Sequence, residues 1–377
     1  MKKTIWIVIF VIILAIIIKF GFYNNQAPKG NIKIGIATLL TGDYAVLGKN
    51  IVNASQLAVK EINDKGGVNN RKIELFIEDS GVTSKDGLSA VQKLINVDGV
   101  DYIVAGMSGN GTLAAAPLAN QSHVILMSPV TGGKNVDEAG EYVFRNANSD
   151  ILAGRDLANA MLKLGYKNVG VISETTEYTL DIKNTFEKTI KDNGGSIVVS
   201  EEFQSGTKDY RTLVKKVQTE NPQAILVLSQ VGTDAANFIK QSRELGFNPP
   251  LFTDFNLTTN PDVKKIIGTY DGIYFADPFF DSNSTSTKAF LDLYRVTYNA
   301  PSAIPFHALA SYDAIMMFAD GIREVGDNPV KVKNWLISNV KNRHGLMGVF
   351  SFDKNGNSDL GFTIKLMKGD KAEVVRF

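Results

Sequence analysis

Four segments of the sequence carry the residue types that hold a small polar ligand, and each directly follows an apolar run of strand character. They are Thr41-Gly42-Asp43-Tyr44-Ala45-Val46-Leu47-Gly48, Met107-Ser108-Gly109-Asn110-Gly111-Thr112, Ser128-Pro129-Val130-Thr131-Gly132-Gly133 and Ser173-Glu174-Thr175-Thr176-Glu177-Tyr178. Hydroxyls and unpaired N–H groups at helix starts suit a carboxylate or a carbonyl oxygen. One such loop is ordinarily a helix cap, whereas neighbouring loops on one sheet edge can form a site. Covalent chemistry lacks its usual residues. There is no G-x-x-x-x-G-K-[ST], H-E-x-x-H or G-x-S-x-G. Cysteine is absent, which removes thiolate nucleophiles, disulfides, Cys-ligated metals and a lipid-bearing Cys. The three histidines, His123, His307 and His344, lie far apart and are read as surface or packing residues. The segment 106–111 does not fit G-x-G-x-x-G and is not in the first unit of its sheet, so no dinucleotide is expected there. No catalytic residue, metal or cofactor is predicted, and a non-hydrolytic binding role is favoured over an enzyme.

These loops must be positioned by a strand–helix alternation. Strands are predicted at 32–36, 73–77, 102–104 and 124–127, separated by helical periodicity such as Ile51, Ala54, Ala58 and Ile62 before Gly66-Gly67. The pattern restarts with strands at 169–172, 197–199, 224–228, 251–253 and 273–275. Helices over 285–299, 303–325 and 330–341 follow, then strand candidates at 349–352 and 362–367. Repeated βα units imply parallel-rich α/β sheets covered by helices on both faces, and periodicity alone gives two sequential domains. In such sheets ligands bind outside the carboxyl ends of the strands.

Charge and the N-terminus restrict the setting. Lys+Arg is 40 and Asp+Glu is 39 in 377 residues, so no basic surplus exists to replace phosphate counterions and no nucleic-acid partner is expected. Lys2 and Lys3 precede an unbroken apolar run from Ile5 to Ile18, continued through Tyr23 with Lys19 able to snorkel. No small-x-small cleavage site follows. Residues 1–23 are therefore expected to be an uncleaved signal anchor or transmembrane segment, 24–31 a linker, and the remainder extracytoplasmic, at the periplasm or cell surface.

The segment IKIGIATLLTGDYAVLGKNIVNASQLAVKEINDKGGVNNRKIELFIEDS resembles the opening of the solute-binding proteins of branched-chain amino-acid ABC transporters, the leucine/isoleucine/valine-binding family. The resemblance continues through TLAAAP at 112–117, the Ser-Pro loop at 128, YVFR at 142–145, KDY at 208–210, PSAIPFHALASYDA at 301–314 and Phe352, Asp353 and Gly356. It implies a type I periplasmic-binding-protein fold, two Rossmann-like lobes joined by three crossovers near 147, 276 and 345. Lobe 1 would comprise 32–147 and 277–345, and lobe 2 148–276 and 346–377. Closure of the lobes would trap an amino acid, branched-chain or aliphatic as the first expectation, for delivery by a monomer to an ABC permease. Amides, urea and aromatic acids are the alternatives, as is a sensor working through a separate signalling partner.

The resemblance also implies site residues. The ligand carboxylate would meet Ser108, Gly109, Asn110, Val130 and Thr131. Tyr178 would cover it, and Asp254 would receive the ammonium. Leu47 or Tyr44 would wall the side-chain pocket, with Gln230 and Val231 facing it. The chain departs from the family pattern at Gly109, at Ser-Pro-Val-Thr-Gly for Ser-Pro-Ser-Ala-Thr, at Thr179, and at Asp254-Phe255, where Asp-Gly or Glu-Gly is usual.

Overall fold

The computed structural model describes residues 30–377 except Asn260, Ala303 and Asp359. The expected anchor lies outside the described residues, and no helix among them is long and apolar enough to cross a membrane.

Two sheets organise the chain. The first has strand order β2-β1-β3-β4-β5 and the second β14-β13-β10-β9-β8-β6-β7. In the first, Ile32–Thr38 (β1) pairs in parallel with Ile73–Asp79 (β2) and Tyr102–Gly106 (β3), and Ile125–Ser128 (β4) lies between β3 and Val143–Arg145 (β5). Every residue of β3 and β4 is buried, as expected for parallel strands covered on both faces. The second sheet is parallel through Asn168–Glu174 (β6), Ser196–Phe203 (β7), Ala224–Leu228 (β8), Leu251–Asp254 (β9) and Ile273–Pro278 (β10). Phe362–Lys368 (β13) and Lys371–Val374 (β14) extend it antiparallel.

Helix Ala45–Asp64 illustrates how sequence becomes packing. Leu47, Ile51, Ala54, Ala58 and Ile62 recur every three or four residues and all are buried. At its start Gly48 is required, because a Cβ there would lie 1.9 Å from the Leu39 carbonyl oxygen. At its end Gly67 has φ +85, and a Cβ would lie 2.0 Å from the Arg71 carbonyl oxygen. Asp79 at the end of β2 ties the β1 loop down, accepting from Leu40 N at 3.0 Å and Thr41 Oγ1 at 2.7 Å.

Helices Thr285–Tyr298, Pro305–Val325 and Pro329–Asn339 pack on the first sheet, contributing Phe290, Leu309, Phe318 and Leu336 to its core. The chain thus passes between lobes three times, after Arg145, after Pro278 and between Phe352 and Phe362. The second passage lies slightly beyond the expected 276. The third lies well beyond 345, because Leu346, Met347, Phe350 and Phe352 are buried in the first lobe's core. The hairpin Arg343–Gly345 (β11) and Gly348–Phe350 (β12) carries them there, with Thr287 Oγ1 donating to Leu346 O at 2.7 Å. A short apolar hairpin has no periodicity that tells one lobe's core from the other's. Asp277 pairs with Lys365 on β13 and is structural.

The three passages are stitched side by side. Ser358 N donates to Arg145 O at 2.8 Å, Arg145 N to Gly356 O at 3.0 Å, and Phe279 N to Gly361 O at 3.0 Å. Asn148 Nδ2 reaches both other passages, donating to Phe279 O at 3.5 Å and to Gly361 O. Asn148→Ala removes both donations at a buried site and is expected to cost about 1–3 kcal/mol. Thermal unfolding should show Tm several degrees lower; an unchanged Tm would mean that the stitching does not depend on this side chain.

Candidate functional site

The cleft lies where the carboxyl ends of both sheets face each other. On the first lobe, Ser108 caps helix Gly109–Ser122, accepting from Gly111 N at 3.1 Å and donating to Val82 O at 3.2 Å. Its hydroxyl is therefore engaged in local structure, and Asn110 is exposed. Gly109 lies against Thr131, whose Cγ2 would be 3.5 Å from an added Cβ. Thr131 is buried, with Oγ1 3.4 Å from both Thr112 Oγ1 and the Met107 carbonyl oxygen. The N–H groups of Thr131 and Val130 turn toward Ser128 Oγ at 3.0 and 3.4 Å. The loop is braced from behind by His307, whose Nδ1 is 2.8 Å from Pro129 O. Burial pushes this imidazole down to about 4, so it is neutral and its Nδ1–H donates to that carbonyl. Leu47 is buried in the first lobe's core, and Tyr44 packs against it.

On the second lobe, Asp254 ends β9 and is 1% exposed. Its Oδ1 accepts from Asn256 N at 2.8 Å, while Oδ2 is buried with no hydrogen-bond partner. Burial pushes its carboxyl up to about 7, and the nearby Glu174 charge adds to the rise. Tyr178 stands beside it, the hydroxyl held between Asp254 and Asn256, and burial among carboxylates raises it well above the usual tyrosine range. Glu174, at the end of β6, accepts from Ser205 Oγ and from Gln230 N at 2.7 Å. Gln230 and Val231 are themselves exposed. Asp150 begins the helix after the first passage, its N–H donating to Gly132 O at 2.9 Å. Burial, then the charges of Asp181 and Asp254, push the Asp150 carboxyl well up, against the pull of Arg145.

The lobes touch around this site. Phe255 meets Phe306 edge-on with centroids 5.2 Å apart, Asn135 Nδ2 donates to Glu177 Oε1 at 2.6 Å, and Lys134 N to Asp181 Oδ2 at 2.9 Å. The structure thus brings Tyr178 and Asp254 together and places Val130 and Thr131 on one braced loop. It assigns Ser108 to a cap and leaves Asn110, Gln230 and Val231 at exposed positions. Glu174, Asp150, Asn256, Phe306 and the bracing role of His307 had no spacing signal, because they converge from separate elements. Chemically, the site offers a dehydrated carboxyl beside a phenol, a pair able to accept a hydrogen bond from a cationic or N–H donor group.

The comparisons agree with this architecture. The family model described as periplasmic binding protein matches residues 31–360, and the chain belongs to that family. Its relatives place it among the type I, leucine/isoleucine/valine-binding members, which are binding proteins for transport rather than enzymes. The leucine-, isoleucine-, valine-, threonine- and alanine-binding protein of Pseudomonas aeruginosa is 25% identical over 350 residues, covering 91% of this chain and 92% of that protein. The branched-chain amino acid transporter substrate binding protein of Streptococcus pneumoniae, solved with isoleucine, is 27% identical with TM-score 0.77, covering 92% of this chain and 99% of that one. A solute binding protein of R. palustris, solved with benzoate, shares the fold at 20% identity and TM-score 0.75, covering 92% and 96%.

Asp254 makes stability depend on pH in a definite direction. A carboxyl near 3.9 in the unfolded chain and near 7 in the folded one favours folding below the first value. That advantage is lost as pH rises through the second. Asp254→Asn should therefore gain stability relative to the wild type between pH 4 and 7.5, by a few kcal/mol at most at about 1.4 kcal/mol per pH unit. Urea midpoints across that range check this, and a pH-independent difference would contradict the burial argument.

Proposed function

We propose that this chain is an extracytoplasmic substrate-binding protein that captures an aliphatic amino acid between its lobes and delivers it to an ABC permease. The observation that carries the reading is the buried Asp254 carboxyl, whose Oδ2 meets no donor at hydrogen-bonding geometry and which has the Tyr178 hydroxyl beside it. A dehydrated carboxylate oxygen is costly to keep, and an ammonium group offsets that cost by a charge-assisted hydrogen bond. Tyr178, beside Asp254, covers the bound molecule. Val130 and Thr131 are offered for the ligand carboxylate, their N–H groups sharing Ser128 Oγ until a stronger acceptor arrives. Leu47 and Tyr44 supply apolar wall. The leucine- and isoleucine-binding relatives named above support the ligand class. The apolar run after Lys2 and Lys3 supports retention at the membrane by the N-terminal segment, with the lobes outside.

A thermal-shift panel of amino acids, urea, short amides and benzoates tests the ligand. Ligand at 100 times Kd adds about 2.7 kcal/mol to the folded state, enough for a clear rise in Tm. An aliphatic amino acid is expected to give that rise, and Asp254→Asn to abolish it. Shifts by benzoate or amides alone would contradict the ammonium site while leaving a binding protein. Because the ammonium needs the ionised carboxylate, affinity should climb up to about tenfold per pH unit until about 7 and then level. Titration calorimetry between pH 5 and 8 reads this directly, and flat affinity across the range would oppose it.

A further inference from the structure

Phe255 directly follows Asp254 in the chain. Its ring stands edge-on to Phe306 of the first lobe, with centroids 5.2 Å apart and planes at 85°, the geometry aromatic pairs prefer. Phe255 packs against the apolar cores of both lobes, and Phe306 is 6% exposed. The pair therefore closes the gap between lobes beside the two anchoring elements. Phe255 adjoins Asp254, and Phe306 adjoins His307, which braces the 128–131 loop through Pro129. Rings in contact at this distance leave no space for an alkyl group between them.

A ligand whose ammonium sits on Asp254 has its α-carbon one bond further on, and the inter-lobe aromatic pair begins at the very next residue. We propose that Phe255 and Phe306 set the upper size limit of the side-chain pocket, so that the site takes an amino acid with a short side chain, of the size of alanine, serine or threonine, ahead of leucine or isoleucine. This rests on the amino-acid reading of the same cleft. One methylene more or less in an apolar pocket changes recognition by about 10–200-fold, so a phenyl ring at the pocket's edge is sufficient to set a preference.

Titration calorimetry on the full chain tests it with two size series. One runs alanine, 2-aminobutyrate, valine, leucine, and the other runs the same carbon skeletons without the amino group. The wild type is expected to bind the short members more tightly. Phe255→Gly and Phe306→Ala should each move the leucine-to-alanine affinity ratio toward leucine by at least about tenfold, with Phe255→Leu intermediate. Because the readout is a ratio, general destabilisation does not produce it. A wild type that prefers leucine, or variants that weaken every member equally, would overturn the size limit. Binding confined to the series without the amino group, with the same size trend, would uphold the limit and reject the amino-acid reading. No binding in either series would reject both.

Discussion

A carboxyl held out of water beside the Asn256 N–H and the Tyr178 hydroxyl is the constraint from which the site follows. Asp254 cannot move away, because its Oδ1 is fixed by the Asn256 N–H and its backbone ends a buried strand. Neutralisation by a proton, the state favoured by burial, is one resolution. A cation is the other. Glu174 sharpens the choice by adding negative charge near Asp254. This charge pattern, with a neutral His307 behind the opposite loop, favours a donor group over an anion at Asp254.

The two-lobed fold makes such a residue possible. Asp254 lies at the carboxyl end of the second sheet, where its neighbour Phe255 meets Phe306 of the first lobe. Coverage depends on the three adjacent passages after Arg145, after Pro278 and before Phe362, whose mutual hydrogen bonds hold the lobes in one relation. Contacts at the rim, Asn135 with Glu177 and the Lys134 N–H with Asp181, add to it.

Much of this was legible in the sequence, unevenly. The buried parallel strands announce themselves as β-branched runs, and the amphipathic helix Ala45–Asp64 by its three-and-four spacing. The resemblance named Tyr178 and Asp254 together, and the structure places them side by side. The destination of the 343–352 hairpin was not legible, since burial of Leu346, Met347 and Phe350 is equally satisfied by either lobe as far as local pattern goes. Ser108 was expected to face a ligand but caps its helix, because the nearest unsatisfied N–H is its own Gly111. Strand β5 and strand β14 were missed; Val143–Arg145 is three residues long and Lys371–Val374 wholly exposed, so neither shows a buried pattern of useful length. The cross-lobe pair Phe255 and Phe306 lies 51 positions apart, invisible to any local reading.

The central claim is that Asp254 holds its proton in the free protein and releases it to solvent when an ammonium binds. Carbon-13 NMR of the side-chain carboxyls, with Asp254 assigned by its loss in Asp254→Asn, measures this at the atom concerned. The account predicts a titration midpoint near 7 without ligand, falling well below that value when a bound amino acid saturates the cleft. A midpoint near the ordinary 3.9 in the empty protein, unmoved by ligand, would contradict it.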